Sequence, residues 1–65
     1  MNWSTLATAL RKVGHNGMHA QLPGDGPLLS CETKAGKVYA TRNDEQGEPV
    51  TWVAMGQKWV KDGSA

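Results

Sequence analysis

The chain has 65 residues, with seven lysines and arginines against six aspartates and glutamates, and a single cysteine. A net charge of +1 supplies no whole-chain pull toward nucleic acid or a membrane surface, and one cysteine excludes an internal disulfide. So short a chain buries only about 60% of its extended surface, which predicts one domain, residues 1–65, of marginal stability. Ser4, Thr5, Thr8, Arg11 and Lys12 interrupt the apolar positions near the N-terminus, so neither a signal peptide nor a membrane span is expected. The expected setting is reducing and cytoplasmic, with no membrane partner.

The first stretch, "NWSTLATALRKVGHNG", reads as an amphipathic helix over about residues 2–14. Trp3, Leu6, Ala7, Leu10 and Val13 recur at spacings of three and four and form one stripe. Asn2 or Ser4 can cap its first turn, Arg11 and Lys12 suit the negative end of its dipole, and Gly14 or Asn16-Gly17 can end it. A helix this short is marginal alone and must pack on something.

After Gly17 the period shortens. Met18, Ala20 and Leu22 alternate and predict a short strand, although the sequence leaves open whether it joins the sheet. "PGDGP" is a turn by composition. "LLSCETKAGKVYATR" reads as two strands joined around Lys34–Lys37, and "NDEQGEP" as a polar loop. "VTWVAM" and "KWVK" are two more strands, with Gly56-Gln57 between them predicting a type II′ turn. The predicted fold class is therefore α+β: one N-terminal amphipathic helix packed on a four- or five-stranded antiparallel β-meander, about residues 18–61.

Tight turns set which side chains share a face. Pairing Thr33 with Val38 and Cys31 with Ala40 collects Leu29, Cys31, Val38 and Ala40 on one side. Ser30, Glu32, Lys34, Lys37, Tyr39 and Thr41 then lie on the other. Pairing Met55 with Lys58 puts Val50, Trp52, Ala54, Trp59 and Lys61 on one face and Thr51, Val53, Met55, Lys58 and Val60 on the opposite one. Both faces of this last hairpin are apolar, and parity does not say which is buried. Compact Val53, Met55 and Val60 suit a helix packed closely above, leaving Trp52 and Trp59 outward near Tyr39. Alternatively, the indoles fill the space above Cys31 and Ala40.

The meander also predicts a polarised charge layout. Lys34, Lys37 and Lys58 gather at one end, and Asp44, Glu45 and Glu48 at the other, with Asp25 and Asp62 nearby. His15, His19 and Cys31 are too few for a structural zinc site, which needs four ligands, and no thiol-catalyst signature surrounds them. "GHNG" and "PGDG" lack the strand–loop–helix order of phosphate loops. No enzyme activity, metal or cofactor is expected. The expected function is a small non-catalytic protein-binding module of adaptor or inhibitor type. Trp52, Trp59, Tyr39 and Lys61 form its contact surface, with Lys58, Lys37 and Lys34 as an electrostatic rim. The alternative is a nucleic-acid binder that stacks bases on Trp52, Trp59 and Tyr39 while the lysines follow the backbone. A homodimer buried through the tryptophan face is a third reading, and the partner itself is unidentified.

Overall fold

The computed structural model describes residues 2–63. Helix α1 spans Trp3–Lys12, and both its ends are closed by the devices its sequence contains. The Asn2 side chain accepts the Ser4 N–H at 2.7 Å, taking up one of the first-turn donors. At the other end Gly14 has φ +85°. Its N–H reaches the Arg11 carbonyl while the His15 N–H reaches the Leu10 carbonyl at 2.9 Å, the paired bonds of a Schellman stop. The helix ends two residues before the expected residue 14, with Val13 as its cap, because that left-handed turn follows directly on Val13.

Met18–Leu22 is not a strand. Met18–Gln21 forms a single 3₁₀ turn, with the Ala20 and Leu22 amides bonded to the Gly17 and His19 carbonyls. Met18 and Leu22 are both buried, four positions apart, and that spacing matches a helical turn as well as alternation matches a strand. The sheet therefore has four strands: β1 Asp25–Lys34, β2 Lys37–Asn43, β3 Pro49–Met55 and β4 Lys58–Lys61. They lie in the order β1-β2-β3-β4, each antiparallel to the next, so the fold is a helix and an up-and-down meander. β1 starts inside the stretch expected to be turn, at Asp25, and crosses Pro27 by shifting register between Asp25 and Leu28 and again between Leu28 and Ser30.

Both tight hairpins keep the expected registers: Thr33 faces Val38, Cys31 faces Ala40, Met55 faces Lys58 and Trp52 faces Lys61. The second turn is of another type than expected. Gly56 and Gln57 both have positive φ, +57° and +66°, as do Ala35 and Gly36 in the first, so both turns have the I′ signature rather than II′. Gln57 holds this uncommon conformation with its side chain donating to the Gly14 carbonyl at 3.3 Å. That contact ties the β3–β4 turn to the end of α1.

The core lies between α1, the 3₁₀ turn and one face of the sheet. Leu6, Leu10, Met18, Leu22, Leu28, Val38, Ala40, Trp52 and Ala54 form it, with Trp3, Ala9, Val13, Cys31, Val50 and Trp59 packed around them. Of the two placements open to the last hairpin, the indole face turns inward, with Trp52 buried and Trp59 half-buried, so the outward placement does not hold. Each tryptophan stands across from an alanine, Trp52 from Ala40 and Trp59 from Ala54, and the small partners leave room for an indole under the helix. Arg42 closes the far end of this layer. Its Nε donates to the Gly26 carbonyl at 2.7 Å and a terminal nitrogen to the Leu22 carbonyl at 3.1 Å, while its guanidinium lies 5.0 Å from the Trp3 ring.

Candidate interaction surface

One helix covers one face of the sheet, and the other face is left open. Pairing of β2 with β3 aligns Tyr39 with Val53 and Thr41 with Thr51. Combined with the two hairpin registers, this makes rows across the open face. Glu32, Tyr39, Val53 and Val60 form the central row. Lys34 and Lys37 face each other at one end, where Met55 faces Lys58. Toward the other end the Thr41 and Thr51 hydroxyls bond at 2.8 Å.

Val53 is only 6% exposed, yet it is no part of the core under the helix. Its cover is its own row, Tyr39 on one side and Val60 on the other. Met55 and Val60 remain 43% and 39% exposed, an apolar strip in the open beside the lysines. Lys34 Nζ lies 5.2 Å from the Tyr39 ring centre, which fixes one cation over the strip's aromatic member. Lys37 and Lys58 are exposed and make no ion pair among the described residues. Like charges directly across a strand pair repel, so the Lys34–Lys37 pairing costs stability that an anion at this end would recover.

The structure divides the residues expected to form one surface. Tyr39, Lys34, Lys37 and Lys58 share the open face. Trp52, 7% exposed, sits in the core, and Trp59 is half-buried on the same side with its ring N–H donated to the Met18 carbonyl at 2.8 Å. Lys61 faces Trp52 and so belongs to the helix side of the sheet. The large apolar residues on the open face are Val53, Met55 and Val60 instead. Their shared parity was readable in the sequence; that they face outward was not.

The cationic end is larger than the strand pattern implies. The Gln57–Gly14 contact brings the C-terminus of α1 to the hairpin tips, so Arg11 and Lys12 join Lys34, Lys37 and Lys58. At the opposite end Asp25 faces Asn43, and Asp44 folds a tight loop in which its carboxylate accepts the Gln46 and Glu48 amides, both at 2.9 Å. Glu45 and Glu48 are exposed on that loop.

Cys31 is half-buried on the helix side of β1, and burial pushes its thiol pKa up, away from the reactive thiolate. The Nδ1 atoms of His15 and His19 are buried without a hydrogen-bond partner. Among the described residues no three His, Cys, Asp or Glu side chains are grouped to hold a metal ion, and no helix is long and apolar enough to cross a membrane. No family model, curated protein or solved structure matches this chain.

Proposed function

We propose that this protein is a non-catalytic module that docks an acidic protein surface on the open face of its sheet. Tyr39, Val53, Met55 and Val60 supply the desolvated centre, and Lys34, Lys37 and Lys58 steer and orient the partner. One observation carries the reading. A row of apolar side chains, dense enough to bury Val53 without any helix above it, opens onto Lys37 and Lys58, which make no ion pair among the described residues. Soluble domains seldom leave a contiguous apolar strip in solvent unless something covers it.

Stacking of single-stranded nucleic acid draws less support, since Tyr39 is the single aromatic ring on this face while both C-terminal indoles lie on the opposite, core side of the sheet. The test is affinity capture from the native host lysate with wild type, Val60→Glu and the pair Lys37→Glu/Lys58→Glu. Each variant is expected to lose the proteins that wild type retains, while keeping the wild-type far-UV spectrum. Capture of the same proteins by all three refutes the assignment of this face.

A further inference from the structure

The sheet has two edges, and they are guarded differently. β4 is four residues long with lysine at both ends, and Trp59 ties it to the 3₁₀ turn. β1 is ten residues long. The two-residue turn after Lys34 makes Lys34–Lys37 the closing hydrogen-bonded pair, so alternation turns the backbone N–H and C=O of Cys31 and Thr33 away from β2, toward the unoccupied side. Along that edge, between α1 and β1, runs a groove of about 580 Å³ lined by Thr8, Ala9, Lys12, Val13 and Thr33 among others. The same strand carries a large hydrophobic residue in solvent, Leu29, 43% exposed where the register shifts beside Ser30.

We infer that β1 pairs with β1 of a second copy, antiparallel about a two-fold axis through Cys31, to form one sheet continuous across the seam. Three independent features choose this occupant. The outward amides and carbonyls of Cys31 and Thr33 obtain ladder partners. The two-fold sets Leu29 of each copy opposite Thr33 of the other, so the exposed leucine enters the groove that Thr33 lines, on the side where Ala9 and Val13 wait. Finally, β1 runs from the acidic end at Asp25 to the cationic end at Lys34, so the antiparallel arrangement turns the cationic end of each copy toward the acidic end of the other, with Lys34 opposite Leu28 and three positions from Asp25. Shifting the axis by one residue to Glu32 sets two carboxylates against each other. Centring it on Cys31 sets Glu32 against Ser30 instead.

The experiment is sedimentation equilibrium of the full chain from low micromolar to millimolar concentration, with Leu29→Lys and Cys31→Pro beside wild type. Proline at an outward-pointing amide leaves the β1–β2 ladder intact and blocks addition of a strand. Wild type is expected to rise from 7.0 kDa toward twice that mass. Leu29→Lys should raise the dissociation constant about tenfold or more. Cys31→Pro should remain monomeric, and both variants should keep wild-type circular dichroism. In wild type the Cys31 and Thr33 amides should exchange more slowly as concentration rises. A monomer at millimolar concentration overturns the inference, as does a dimer that Leu29→Lys leaves equally tight.

Discussion

Gly24 and Gly26 are two residues apart in the segment leading into β1, and they separate two costs that usually come mixed. Gly24 has φ +100°, and a Cβ there collides with the Asn43 carbonyl oxygen and meets the Trp52 ring at 3.2 Å and Arg42 Cδ at 3.3 Å. Gly26 has φ +77° with nothing within 4 Å of a Cβ. Alanine at either position incurs backbone strain of about 1–2 kcal/mol. At Gly24 alone it also overpacks the core, for roughly 1–3 kcal/mol more, because backbone and a buried ring must move. Gly26→Ala should therefore lose about 1–2 kcal/mol and Gly24→Ala about 2–5 kcal/mol. A chain this long has roughly 3–10 kcal/mol in total. Urea unfolding followed by tryptophan fluorescence reads both losses at a common m-value. If the two variants fall within about 0.5 kcal/mol of each other, the backbone of Gly24 is not pressed against Trp52 and the packing of that corner is misassigned.

Ala35 holds φ +54° in a turn whose preferred first residue is asparagine, so Ala35→Asn should stabilise by roughly 0.5–1 kcal/mol and raise Tm by about 4–8 °C per kcal/mol, read by thermal melting. Trp52→Ala should cost about 3–5 kcal/mol, while Val60→Ala on the open face stays within about 1 kcal/mol of wild type. Equal losses would mean that the two faces are assigned the wrong way round. Burial raises the Cys31 pKa above its ordinary 9.0, so the unfolded chain ionises first. Stability is complete below that value and falls as pH climbs through the native pKa. Cys31→Val should show a shallower alkaline decline in urea midpoint than wild type, and parallel declines would contradict the shift.

The hairpin registers were legible because a two-residue turn leaves one way to pair its strands: Lys34 with Lys37, and Met55 with Lys58. The direction of each face was not, since parity groups side chains without saying which group turns inward. Volume decides that. Ala40 and Ala54 oppose the two indoles, and a layer floored with alanines needs large side chains to fill it. That cue was present in the sequence once the β2–β3 register was known, but the loop between those strands is too long to set a register locally. Arg42 follows the same logic. Its parity with Val38 and Ala40 places it on the core side, where a guanidinium needs acceptors, and only the fold supplies them in the Gly26 and Leu22 carbonyls. Residues distant in sequence also complete the cationic end, because nothing local says that Gly14 meets Gln57.

A net charge of +1 is a poor guide to this molecule. Along β1 the distance from Asp25 to Lys34 is roughly 30 Å at about 3.3 Å per residue. Ionic screening at physiological salt decays over about 8 Å, so an approaching partner meets one end or the other and never the sum. The same polarity serves two surfaces without conflict. Lys34 and Lys12 lie by the β1 edge, where a second copy would bring its acidic end alongside. Lys37 and Lys58, on β2 and β4, stay clear of that seam and remain available to the open face. Charge reversal at Lys37 and Lys58 should therefore weaken partner capture and leave the self-association constant unchanged. Reversal at Lys34 should weaken both, since that ammonium sits over Tyr39 on the open face while its strand forms the seam. Were Lys37→Glu/Lys58→Glu to dissociate the dimer, the two-fold axis would have to run elsewhere, and the separation of the two surfaces would fail with it.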